Sequence, residues 1–149
     1  MRKLTWDDLL VSEVRDADAL AWLEPWSCLV HGPVSVVFLS KFGDWFLRRP
    51  DGSTDELSIL EGTFSKIAES PEEFAALVNS TEWQEEHLLS YHVYLLHERG
   101  LIPGPGECYA LAPPPLLSGK IDIEHASVMS MGLWQSICVQ VFQKLRADA

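Results

Sequence analysis

The first half of the chain alternates short apolar blocks with turn residues. Residues 34–40, Val-Ser-Val-Val-Phe-Leu-Ser, are β-branched and apolar and predict a strand. Lys41-Phe42-Gly43 reads as a turn, and Asp44 to Arg49 returns as a second strand. Pro50-Asp51-Gly52-Ser53 carries strong turn chemistry. Asp55 to Leu60 is then a third strand, Gly62 a break, and Thr63 to Ala68 a fourth. Connections this short predict antiparallel pairing.

From residue 70 the apolar period changes to that of a helix. Ser70-Pro71-Glu72-Glu73 is a helix start, with Ser as N-cap, Pro at the first helical position and acids facing the positive end of the dipole. Phe74, Leu77 and Val78 mark its inner face. A second helix begins near Thr81, carries Trp83, Leu88, Tyr91 and Leu95 inward and ends near Gly100. Pro103-Gly104-Pro105-Gly106 is a rigid turn before a strand at Cys108–Ala112. Pro113-Pro114-Pro115 bars regular pairing and predicts an extended edge segment. Ala126 to Ser130 reads as a last strand, and Gly132 to Leu145 as a closing helix with Trp134, Ile137, Cys138, Val141 and Leu145 at helical spacing. Upstream, Thr5-Trp6-Asp7-Asp8 has the form of a capping box, and Asp16 to Leu23 fits a short helix that Pro25 ends.

The expected fold is therefore α+β, a mainly antiparallel sheet of about five to six strands packed by helices. The 149 residues are enough for one domain with a hydrophobic core, and no repeat or linker divides them. Residues 1–33 form a helical N-terminal extension packed on the α+β region at 34–146. No apolar run approaches the ~18 residues of a membrane span. The basic residues near the N-terminus lead into polar and acidic sequence, which predicts no signal peptide and a cytoplasmic location. Cys28, Cys108 and Cys138 are odd in number and widely spaced. They are expected as reduced core thiols, with neither a disulfide framework nor a zinc site.

Charge adds the first functional information. The formal net charge is −11. Residues 50–98 carry eleven acids, from Asp51 to Glu98, against the single base Lys66. The two flanking thirds are nearly balanced, so ten of the eleven net charges lie in one third of the chain. Such a balance argues against direct contact with nucleic acid or an anionic membrane, and fits either a basic partner or solvated helix faces.

Candidate chemistry is sparse. His87, His92 and His97 are spaced by five, about 140° of helical rotation, so they diverge instead of forming a metal site. Glu82, Glu85 and Glu86 share one turn at a helix start, where the dipole already accounts for them. Cys108 follows Glu107, whose charge opposes thiolate formation. No phosphate-binding glycine loop, nucleophile elbow or zinc-protease motif is present. Neither an enzyme, a cofactor nor a metal is expected. Six tryptophans are many for this length. Most read as core, and Trp22 or Trp26, flanking Pro25, reads as core or as an exposed anchor for a partner.

Two stretches carry a family resemblance. The first is Ser35 to Leu47, followed by Leu57-Ser-Ile-Leu-Glu61-Gly62-Thr63-Phe-Ser-Lys-Ile-Ala68 and the Ser-Pro-Glu-Glu-Phe helix start. The second is Gly106-Glu-Cys108-Tyr109-Ala-Leu-Ala-Pro113-Pro114-Pro115-Leu116-Leu117-Ser-Gly119 and the helix after it. Together they resemble the C-terminal domain of bacterial type VI secretion immunity proteins, the partners of secreted DNase toxins. The resemblance covers residues 34 to 146. It departs in the short segment that precedes the domain and in having one glycine near Gly119 where the family has two.

The resemblance implies an immunity protein that binds and neutralises a cognate secreted toxin. A nuclease toxin needs a basic substrate groove, which an acidic inhibitor can plug. The partner-binding residues expected on that reading are Asp51, Asp55, Glu56, Glu72, Glu73, Glu82, Glu85 and Glu86. A non-enzymatic interaction or regulatory module without a toxin partner is the alternative, and a small-ligand binder with an unfamiliar pocket is a third reading.

Overall fold

The computed structural model describes residues 4–11 and 14–148. Within the N-terminal extension, residues 1–3, 12 and 13 lie outside the described residues. The capping box at Thr5 forms: Thr5 N–H donates to Asp8 Oδ2 at 2.8 Å, opening the one-turn helix α1 (Trp6–Leu9). A two-residue strand follows directly, β1 (Leu10–Val11), and then α2 (Asp16–Leu23). Pro25 does not stop the chain abruptly. It sits inside a 3-10 turn, Glu24–Trp26, that continues α2.

Four strands then follow as the alternation requires: β2 (Ser35–Ser40), β3 (Trp45–Arg48), β4 (Thr54–Ser58) and β5 (Thr63–Ala68). They join β1 in a five-stranded antiparallel sheet in chain order. β1 is only two residues long, and its pairing of Leu10 with Ser40 and Val11 with Leu39 makes it a strand. Five helices follow: α3 (Pro71–Val78), α4 (Thr81–Leu88), α5 (Ser90–Glu98), α6 (Pro115–Ser118) and α7 (Met131–Ala147). The last two strands, β6 (Glu107–Ala110) and β7 (Ser127–Ser130), pair only with each other and form a second, two-stranded sheet.

Two helical expectations need correction. The helix expected over 81–100 is broken at Leu89, whose φ of 54° is left-handed. A branched residue there is strained. Glu85 compensates at the same place: its Oε2 accepts from Tyr91 N–H at 2.7 Å and from Ser90 Oγ at 3.1 Å, capping the start of α5. At the other site, the triple proline is not wholly extended, because Pro115 opens α6.

The core lies between the five-stranded sheet and the helices. Trp26, Trp45, Trp134, Tyr109, Phe42 and Phe46 are its largest fully buried side chains. Trp26 is fully buried and packs on Phe142 with ring centroids 5.3 Å apart. It is therefore no surface anchor. Trp22 is half-buried against Gly132, and Trp6 is the tryptophan that stays exposed. Cys108 and Cys138 are buried free thiols, whereas Cys28 is exposed and does not join the core.

One turn organises the molecule. Ser40 Oγ accepts from Phe42 N–H at 3.2 Å and Asp44 N–H at 3.1 Å, closing the β2–β3 connection. Helix α7 clamps it from above. Trp134 Nε1 donates to Phe42 O at 2.8 Å and Gln135 Nε2 to Gly43 O at 2.8 Å. Gln135 Oε1 in turn accepts from Trp45 Nε1 at 3.0 Å. The turn thus delivers Asp44, a residue the sequence places at the start of a strand, into the interior.

Candidate functional site

Asp44 is buried, and its carboxylate caps the β4–β5 turn. Oδ1 accepts from Ile59 N–H at 2.8 Å and Oδ2 from Ser58 Oγ at 3.3 Å. Burial, reinforced by the nearby Glu56 carboxylate, pushes its pKa up to about 8 against these hydrogen bonds. Asp44 is one wall of a cleft of about 220 Å³ between β4, β5 and the end of α4. The opposite wall is His87, whose Nδ1 lies 2.7 Å from Glu56 Oε1 and whose ring stacks on Trp83 at 4.7 Å. That hydrogen bond raises the His87 pKa, with burial opposing it. Glu61 and Glu86 stand at the rim. Four carboxyl groups and one imidazole therefore line the cleft.

A second, less polar hollow of about 340 Å³ continues the cleft. The two share Leu60, Glu61 and Ile121, and the second adds Pro115, Leu116, Gly119 and Lys120. The groove therefore runs from an acidic end to an apolar one. Its walls bring together the Leu60-Glu61-Gly62-Thr63 and Pro115-Leu116-Leu117-Ser118-Gly119 stretches, which lie more than fifty residues apart in the chain.

The eight acids expected at a partner surface divide into three groups. Asp55 is buried in an ion pair with Arg49 at 2.7 Å, so it presents no free carboxylate. Arg49 also donates to His31 O and, at 3.3 Å, to Pro33 O, and its guanidinium lies 5.6 Å from the Phe64 ring centroid. Asp55→Ala should strand this guanidinium and cost ~3 kcal/mol of stability, measurable by urea denaturation. Glu56 is half-buried and committed to His87, inside the cleft. The other six are exposed. Asp51 carries a second job: Ser53 Oγ and N–H donate to it at 2.6 and 2.9 Å, which holds its pKa down and keeps it ionised.

Glu72, Glu73, Glu82, Glu85 and Glu86 leave α3 and α4 on the solvent side. The inward faces of the two helices meet through Phe74 and Trp83, whose rings contact edge-on at 5.8 Å. Glu86 joins this ridge to the cleft. No protein-family model matches the chain, and no match is found among curated proteins.

Sequence reading missed Asp44, His87 and Glu61 as cleft residues. Asp44 did carry a signal, since an acid inside Phe42-Gly43-Asp44-Trp45-Phe46 has apolar neighbours on both sides. The histidines are distributed over α4 and α5 instead of one helix. Among the described residues no group of three or more His, Cys, Asp or Glu could hold a metal ion. Burial pushes the Cys108 thiol up to about 12, and Cys138 higher still, which leaves both unreactive as nucleophiles.

Proposed function

We propose that this protein is a non-enzymatic immunity protein that neutralises a secreted bacterial toxin by presenting an acidic surface to the toxin's basic groove. The observation that carries the reading is the exposed ridge of glutamates on α3 and α4, continuous through Glu86 with the cleft. Like charges so arranged repel one another and lower the stability of the free protein. A basic partner offsets that repulsion on binding and is drawn in by it. The resemblance to the C-terminal domain of type VI secretion immunity proteins supplies the partner class, with a nuclease as the toxin whose substrate groove is most basic. On this reading the protein acts in the cytoplasm of the producing cell. Asp51, Glu72, Glu73, Glu82 and Glu86 are its contact residues. Asp55 and Glu56 support them from within, and Glu85, though exposed, is engaged at the start of α5.

Growth rescue tests the proposal. Co-expression with candidate secreted nuclease toxins should restore growth to cells that the cognate toxin arrests. A Glu72→Lys, Glu82→Lys, Glu86→Lys variant, shown to be folded by circular dichroism, should not. Equal protection by the variant would remove the acidic ridge from the mechanism.

A further inference from the structure

The two edges of the five-stranded sheet differ. At one edge stands β1, two residues long among those described, and an edge so short templates little. At the other stands β5, six residues long and paired with β4 alone. Among the described residues, no backbone group of β5 bonds to anything beyond β4. Thr63, Ser65 and Lys66 are exposed, which leaves this edge open to solvent. A row of unpaired backbone groups is the template for strand addition.

The register decides what an added strand would carry. Ser58 pairs with Thr63 and Glu56 with Ser65, so these four side chains share one face of the sheet. All four line the acidic cleft. Leu57 pairs with Phe64 and Asp55 with Lys66 on the opposite face. A strand laid along β5 extends this alternation by one position. Its residues beside Thr63 and Ser65 point to the side on which the cleft opens, where Asp44, Glu56, Glu61 and Glu86 stand. The residue between them falls beside Phe64, which is half-buried. The cleft therefore selects a cation, and Phe64 an apolar side chain. Lys66, the one base of residues 50–98, lies on the opposite face and pairs with Glu69 at 3.4 Å, so it does not compete for the cleft.

We infer that β5 is the docking edge for an extended segment of the toxin in which basic and apolar residues alternate. The segment adds a sixth strand, places an arginine or lysine in the acidic cleft and rests an apolar side chain against Phe64. This inference rests on the toxin-binding reading and names the part of the toxin that the cleft receives. Main-chain bonds supply the affinity, and the cleft supplies the selection. A second copy of this chain would also offer a strand, but edge-to-edge pairing brings two acidic clefts together. The register shift between Thr54 and Asp55 ends the regular ladder at Lys66, a further obstacle to long edge pairing.

Nuclear magnetic resonance titration of the full chain with the peptide acetyl-Arg-Val-Arg-Val-Arg-amide is the test. Saturable shifts are expected at Thr63, Phe64, Ser65 and Lys66, with slowed hydrogen exchange at the outward-facing amides of β5. The same peptide methylated at every backbone nitrogen keeps its charge and loses its donors, and should bind at least about tenfold more weakly. Ser65→Lys, shown to be folded by circular dichroism, sets a fixed cation at the cleft mouth and should weaken the unmodified peptide about tenfold. The inference is overturned if the methylated peptide binds as well, if the shifts fall on α3 and α4 and not on β5, or if the free protein dimerises through β5. The titration needs no toxin, so a negative result refutes edge docking and leaves growth rescue to decide the toxin reading. Failed rescue with the peptide bound on β5 rejects the toxin and keeps a basic strand as the ligand.

Discussion

Asp44→Asn should make the protein more stable at about pH 8 than the wild type, and should flatten the decline in stability that the wild type shows above about pH 5. The wild-type carboxyl is buried with a pKa of about 8, against 3.8 for the free side chain. The folded state therefore holds this proton more tightly than the unfolded chain does. The associated stability is complete below the unfolded value and is lost as pH rises toward the folded one. His87 acts in the same sense. Its pKa is raised above 6.5, so its pairing with Glu56 stabilises fully below that value and fades as pH rises through the folded one. An amide keeps an acceptor for Ile59 N–H and carries no charge to bury. The variant should gain on the order of 2–4 kcal/mol relative to wild type between mildly acidic and mildly alkaline conditions. Urea denaturation at both ends of that range measures it. Parallel pH profiles for the two proteins would mean that folded Asp44 is ionised across this window as it is in the unfolded chain, so that burial does not raise its pKa.

The second large effect is expected at the turn that places Asp44. Gly43 has a φ of 96°, and a Cβ built there lies 2.7 Å from Ile59 Cδ1 and 3.1 Å from both Gln135 Nε2 and Trp134 Cδ1. Gly43→Ala therefore combines backbone strain with displacement of α7 from the turn. A loss of ~3 kcal/mol is expected. Gly106→Ala separates the two contributions. Gly106 has a φ of 74°, but nothing lies within 4 Å of the point its Cβ would occupy, so only the backbone cost of ~1 kcal/mol remains. Equal losses in the two variants, again by urea denaturation, would show that contact with α7 contributes nothing. Because Gln135 and Trp134 hold the carbonyls of this turn, Gly43→Ala should also disturb the acidic cleft through Asp44.

Local rules made much of this fold legible. The four strands between residues 35 and 68 and the start of α3 follow from alternation, turn residues and the Ser-Pro-Glu-Glu cap, with boundaries within about two residues. What escaped was set by partners distant in sequence. β1 is a strand because Ser40 and Leu39 lie beside it. β6 and β7 separate from the main sheet because they pair with each other. The break at Leu89 depends on Glu85 reaching forward to Tyr91, where a glycine would have given notice. The candidate site divides the same way. Composition located the acidic third of the chain and the exposed glutamates of α3 and α4. It could not reveal that Asp55 is consumed by Arg49, Glu56 by His87 and Glu85 by the start of α5. Nor could it join Leu60-Glu61 to Pro115-Leu116 as two walls of one groove.

Association with the cognate toxin, followed by stopped flow at two ionic strengths, tests the acidic-ridge account most directly. Raising salt from about 50 mM to about 500 mM shortens the Debye length several-fold and should slow association at least tenfold, with a smaller change in dissociation. An association rate unchanged by salt would contradict the account, even if the complex were tight.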